Sequence, residues 1–241
     1  MTDWKWMLQM KNKILLPFII WVIISMPVTI AAQTPALKAA PADSKSPSIE
    51  EVIETLDRRF NAADFSASFT QESTLKAMAI TDTAKGKVWF KHPGMMRWAY
   101  ESPEQYAIIT DGKTLWIYRP EDNQVVVGDA MTYFSNGKGA SFLSNFKLVR
   151  ESFKVSFTQP SDEDHYTLRL IPHQKQLDLS EIFLNIDKRS FEIDSVVSVN
   201  AYGDESRIIF SNLAFEPGMD ASLFHFQPPK GADVVELETG D

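Results

Sequence analysis

The residues able to do covalent or metal chemistry are few and scattered. Four histidines, His92, His165, His173 and His225, share no H-x-x-x-H spacing, and no cysteine is present to complete a Cys/His set. A zinc site needs convergent ligands of those types, so none is expected. No G-x-S-x-G elbow, P-loop or dinucleotide fingerprint occurs, and Gly137-Lys138-Gly139 lacks the strand-and-helix context of one. Asp162-Glu163-Asp164 follows Pro160-Ser161 and reads as a solvated loop rather than paired catalytic carboxylates. The chain is therefore expected to be no enzyme, with no catalytic residue, metal or cofactor. A triad assembled only in space would leave no linear trace, which keeps a lipid-processing hydrolase as an alternative.

The positive signal is apolar. Met78, Met95, Met96 and Met131 join Trp89, Trp98, Trp116, Phe90 and Phe142. Flexible thioethers beside flat rings suit a pocket for a variable greasy ligand, and the same residues equally suit a packed core.

These side chains sit mostly on strands. Gly86 to Tyr100, GKVWFKHPGMMRWAY, reads as strand, turn, strand: Pro93 biases His92 toward extended backbone and Gly94 permits a reversal. Val88 and Phe90 alternate with Lys87, Trp89 and Lys91, while Met96, Trp98 and Tyr100 alternate with Met95, Arg97 and Ala99. Further strands are predicted from Phe65, near 83–91, 106–110, 114–118 and 124–127, then near 153–158, 166–171, 181–187, 193–202 and 207–214. So many short strands in succession indicate an antiparallel meander closing into a barrel or a strongly curved sheet.

One helical pattern precedes this meander and a second interrupts it. Ser48-Ile49-Glu50-Glu51 is a capping box, and Ile49, Val52, Ile53, Leu56 and Phe60 follow at helical spacing. Phe142, Leu143 and Phe146 recur at near-helical spacing between the two strand series, as a crossover or as a cap on the sheet.

The N-terminus reads as a targeting signal that is cleaved, with an uncleaved anchor as the rival reading because the apolar run is long for a signal peptide. Lys5, Lys11 and Lys13 precede the apolar run 14–30, and Thr29-Ile30-Ala31 offers small residues for cleavage after Ala31 or Ala32. The expected organisation is a signal peptide at 1–32, a flexible Ala/Pro/Ser-rich linker at 33–47 and one domain at 48–241. The apolar fraction of 44% supports a core large enough to dispense with disulfides. A formal charge of −8 disfavours nucleic acid and anionic membrane surfaces as partners, and removing a lysine-bearing signal makes the remainder more acidic. Without a cysteine after the signal, the chain cannot itself carry a lipoprotein anchor.

WFKHPGMMRW followed by DGKTLWIYRP resembles the LolA family of periplasmic outer-membrane lipoprotein carriers, which show W-x-K-R-P-x-x-x-x-W and then D-G-K-x-L-W-x-Y. FSASFTQ at 65–71 and FQPPKGADVV at 226–235 fit the same pattern in the same order, and the resemblance runs from about Ile49 to the C-terminus. It implies an α+β fold: an incomplete, unclosed antiparallel β-barrel of about eleven strands, with helices forming a lid over a hydrophobic cavity. It also implies a periplasmic, monomeric carrier that takes acylated lipoproteins from an inner-membrane lipoprotein-releasing ABC transporter. Delivery would be to an outer-membrane lipoprotein receptor. A lipid-binding periplasmic sensor or regulator of related fold is the alternative.

On this reading the cavity residues are Phe69, Trp89, Phe90, Met96, Trp98, Trp116, Phe142, Leu143 and Phe146, and the lid and latch involve Ile53, Leu56, Lys91 and His92. The family usually has arginine where this chain has His92, and that arginine is thought to hold the lid shut. Neutral imidazole has one donor against the five of guanidinium, so the latch is expected to be weaker or to use Lys91.

Overall fold

The computed structural model describes residues 46–134, 142–143, 146–158 and 163–237. The expected signal peptide, most of the linker and Gly137-Lys138-Gly139 lie outside them. The described residues fall in one compact unit, Lys45–Asp241.

Helix α1 (Ile49–Asn61) starts where its capping box specifies: Glu51 N–H donates to Ser48 Oγ (3.2 Å) and Ser48 N–H donates to the Glu51 carboxylate (2.7 Å). Two N-terminal donors that no helix can satisfy internally are thereby paired. Val52, Ile53, Leu56 and Phe60 form its buried stripe.

The strands are β1 (Phe65–Leu75), β2 (Ile80–Lys91), β3 (Met95–Ser102), β4 (Tyr106–Thr110), β5 (Thr114–Arg119) and β6 (Gln124–Asp129), then β7 (Phe153–Phe157), β8 (His165–Pro172), β9 (Glu181–Asp187), β10 (Ile193–Val199), β11 (Glu205–Phe215) and β12 (Asp233–Glu236). Helices α2 (Ala130–Tyr133) and α3 (Lys147–Ser152) lie between the two series. Among the described residues these twelve strands form one sheet in the order β12-β6-β5-β4-β3-β2-β1-β11-β10-β9-β8-β7. Its ends, β12 and β7, do not pair with each other, so the sheet is unclosed.

The eleven expected strands are joined by a twelfth, which makes the sheet mixed. β12 runs parallel to β6, with Val125 opposite Val234 and Val126 opposite Val235. Its four residues are all exposed, so no buried–exposed alternation marks it in the sequence. The chain reaches that edge after residues 216–232, and Asn123 fixes the start by accepting from Asp233 N–H (2.9 Å) and donating to Gly231 O (2.9 Å).

Two reversals abut at one end of the sheet. Gly94 (φ 68°) and Gly112 (φ 92°) have backbone that disfavours a side chain, and a Cβ on Gly112 would sit 3.3 Å from Pro93 O. Gly86 has a different reason. It lies at the β2–β3 register shift, where a Cβ would collide with Ala99 O and reach the Phe69 ring at 2.9 Å. A bulge with an aromatic ring packed on bare backbone admits no larger residue.

Candidate functional site: the inner face of the sheet

Cross-strand register fixes which residues share a face, because side chains alternate with a period of two. Phe65, Phe90, Met96 and Thr110 fall in one row of partners, as do Val88, Trp98 and Ile108. On the other half of the sheet Phe69 partners Phe210, while Ile208 partners Val196, which partners Leu184. This inner face receives the helices. Phe60 of α1 touches Phe65 (5.1 Å between ring centroids), Phe146 (5.5 Å) and Phe215 (5.8 Å), and Phe69 meets Trp98 edge-on at 5.0 Å.

The expected cavity residues divide between the two faces. Phe69, Phe90, Met96, Trp98, Phe142, Leu143 and Phe146 are buried in one hydrophobic cluster, together with Ile53 and Leu56 of α1. Trp89 and Trp116 lie on the opposite face: Trp89 is the partner of Arg97, Arg97 of Ile109, and Ile109 of Trp116. There the returning C-terminal segment covers the sheet. Phe226 packs on Trp116 and Tyr118, at 6.4 and 5.2 Å, and Arg97 donates to Leu223 O (3.2 Å). Alternation already separates Trp89 from Phe90, whereas the face of Trp116 is set by the register of β5 on β4.

Within the inner face lies a cleft of about 200 Å³. Trp98, Ile108, Ile182, Val196 and Ile208 give it an apolar floor, and Phe134 and Phe142 border it from the helical side. Its other end is polar. Tyr100 O–H donates to Gln71 Oε1 (2.7 Å), and the Gln71 amide donates to Ser73 Oγ (3.2 Å) and Ser206 Oγ (3.1 Å). Burial, reinforced by neighbouring Tyr106, pushes the Tyr100 hydroxyl far above its usual range, so it stays neutral.

Lys91 and His92 meet a residue not expected at the site. Lys91 Nζ lies 2.8 Å from the buried carboxylate of Asp64, in the loop after α1. The same carboxylate accepts from His92 N–H (3.2 Å) and Met219 N–H (3.1 Å). Burial works against the charge, but the hydrogen bonds and charge of Lys91 and the two backbone donors outweigh it and hold Asp64 below the usual carboxylate range. Asp64 thus ties the end of α1, the end of β2 and the C-terminal segment together. Helix α1 has two further ties: Arg59 pairs with Glu192 (2.6 Å) and lies over the Phe215 ring (4.9 Å), and Arg150 of α3 pairs with Glu54 (3.5 Å). These partners are remote in sequence, and only the Asp-Phe step ending the helical pattern marks Asp64 there.

The fold also gathers His165, Asp187 and Asp194 so that one ligand atom from each lies within 4.8 Å of the others. His165 Nε2 is 2.9 Å from Asp194, while one Asp187 oxygen is taken by Arg189 and Ser190 N–H in a turn. Both interactions are accounted for without an ion, and none of the three residues lines the cleft.

Comparison with known proteins places this geometry. Residues 61–227 match the family described as "Outer membrane lipoprotein carrier protein LolA". Over 201 residues the chain is 23% identical to an outer-membrane lipoprotein carrier protein of Azotobacter vinelandii, covering 83% of this chain and 94% of that one. It is 29% identical over 178 residues to the protein of the same description from Coxiella burnetii, covering 73% and 82%. Among solved structures, an uncharacterized conserved protein from Thermus thermophilus superposes with a TM-score of 0.50 at 13% identity, over 79% of this chain and 100% of that one. That likeness supports the fold alone.

Proposed function

Because the chain belongs to the LolA family of outer-membrane lipoprotein carrier proteins, we propose that the inner face of its sheet is the surface on which it carries the acyl chains of lipoproteins. The protein is a periplasmic, non-enzymatic carrier; the acyl surface, its lid and the partners at either end of the journey are the finer reading. The observation that carries that reading is the cleft between an apolar sheet floor and the aromatic residues Phe134 and Phe142.

The size of the cleft argues for a lid. At about 200 Å³ it is smaller than the roughly 300–1,000 Å³ that holds a drug-sized molecule. Acyl chains therefore need α1, the side chains of Phe142, Leu143 and Phe146, or both to give way. The stripe Val52, Ile53, Leu56 and Phe60 occupies the apolar face that chains would cover. Each buried methylene contributes about 0.8 kcal/mol, so full burial of several long chains would bind too tightly to release. A helix that fills the empty site and is displaced by lipid lowers the net affinity. Arg59–Glu192 and Arg150–Glu54 suit such a helix, since part-exposed ion pairs contribute about 1 kcal/mol or less each and break readily.

In this reading the carrier receives acylated lipoproteins from an inner-membrane ABC transporter and passes them to an outer-membrane receptor that holds the chains better. The test is Ile108→Glu, on the half-buried cleft floor. A carboxylate among acyl chains costs several kcal/mol unless neutralised. The variant should fold, by circular dichroism, and fail to take up acylated protein from inner-membrane vesicles. Uptake at the wild-type rate would remove the inner face from the mechanism.

A further inference from the structure

The inner face changes from apolar to polar within a few residues on the neighbouring strands β1, β11 and β10, and on β3 beyond β2. Along β1 the inward positions run Phe69, Gln71, Ser73; along β11, Phe210, Ile208, Ser206; along β10, Val196, Ser198. On β3 Trp98 gives way to Tyr100. Register aligns the steps on β11 and β10, where Ser206 faces Ser198 and Ile208 faces Val196, and sets the step on β1 one inward position earlier, where Gln71 faces Ile208 and Ser73 faces Ser206. The cleft straddles that boundary, with Trp98, Ile108 and Val196 on one side and Gln71, Ser198 and Ser206 on the other.

Resting on the acyl-carrying reading above, we propose that this polar step recognises the uncharged, carbonyl-bearing glyceryl head of the lipid and sets how far the chains enter. Three features specify that chemistry. The step offers donors: Tyr100 and Ser198 donate their hydroxyl hydrogens to Gln71 Oε1 and Ser206 O, but the Ser206 hydroxyl, which accepts from Gln71, keeps its own hydrogen to donate, and the Gln71 amide can turn its N–H groups from serine to ligand. Ester and amide carbonyls are acceptors only, so they complement it. Among the described residues the lining holds no Lys or Arg, and its one formally charged residue is Asp178. A phosphate or free carboxylate would enter without a counter-charge and against a like one, which disfavours phospholipids and fatty acids. The apolar floor begins immediately beyond, so a head held at the step directs its chains along Trp98 and Ile108.

The test uses the full-length mature protein and displacement of an acyl-chain fluorophore by three soluble probes: dioctanoylglycerol, its diether analogue without carbonyls, and dioctanoyl phosphatidic acid. Dioctanoylglycerol should bind about five- to tenfold tighter than the diether, the worth of one net hydrogen bond, and tighter than the phosphatidic acid. Gln71→Leu should reduce the ester-over-ether preference to near unity, and the smaller change Ser206→Ala should reduce it in part. Equal binding of ester and ether, a preference unchanged in both variants, or phosphatidic acid binding as well as the neutral glyceride would each overturn the head site while leaving chain binding standing. Failure of every probe to displace the fluorophore from wild type would overturn the acyl-carrying surface, and the head site with it.

Discussion

At the residue scale, Asp64 joins segments that lie far apart in the chain. Its buried carboxylate holds Lys91 Nζ and the backbone N–H groups of His92 and Met219. Asp64→Asn keeps the shape but loses the charge, and should lower unfolding free energy by about 3 kcal/mol at neutral pH, since hydrogen bonds to charged groups contribute about 1.5–3 kcal/mol each and Lys91 loses its partner. The folded-state pKa is depressed, so this stabilisation is complete above the unfolded carboxyl value of about 3.9 and is lost as pH falls through the folded value. Urea midpoints of the two proteins should differ by a constant amount above about pH 5 and converge below about pH 4. A gap that stays unchanged down to about pH 2 would show that the Asp64 charge is not its source. Met96 carries a second lesson at this scale. Alternation alone makes it a candidate ligand contact, yet it is 2% exposed between Phe90 and Thr110. Met96→Glu should therefore unfold the domain rather than block uptake, which near-ultraviolet circular dichroism would distinguish. Alternation assigns a face, but whether a residue on it meets solvent, helix or ligand depends on elements that pack from elsewhere.

At the element scale, α1 is legible in the sequence almost to its bounds, because its capping box and apolar spacing are local signals. The antiparallel strands likewise start or end within a few residues of the alternation that marks them, with β10 stopping at Val199 because Asn200 to Asp204 form a tight turn. The parallel β12, the short α2 and the pairing of α1 to Glu192 and Arg150 are not legible: they depend on where distant segments meet. The displaced-helix account predicts effects of opposite sign from one substitution. Leu56→Ala should cost about 2–4 kcal/mol of stability, because Leu56 is fully buried. The same change weakens the competitor for the inner face, so acyl-fluorophore affinity should rise several-fold. Affinity falling in step with stability would mean that α1 supports the site instead of occluding it. Gly86→Ala provides a contrasting case: its collision with Ala99 O and Phe69 is with the sheet itself, so stability and affinity should both fall, as read by thermal melts and fluorophore titration.

At the scale of the whole molecule, one unclosed sheet carries two differently used faces. The outer face of β3 to β6 is closed by the C-terminal segment through Phe224 and Phe226, whereas the inner face meets helices through apolar contact, with Arg59–Glu192 tying α1 to the residue before β10 and Arg150–Glu54 tying α3 to α1. On the proposed reading the second arrangement is the one exchanged for a ligand, which is what a carrier requires. The most direct measurement is site-specific photocross-linking of the loaded protein, with the photoreactive residue at Ile108 on the inner face or at Tyr118 on the outer. An acylated lipoprotein should cross-link from Ile108 and not from Tyr118, and the same protein stripped of its acyl chains should cross-link from neither. Equal cross-linking from both faces, or cross-linking at Ile108 that survives removal of the chains, would contradict the account.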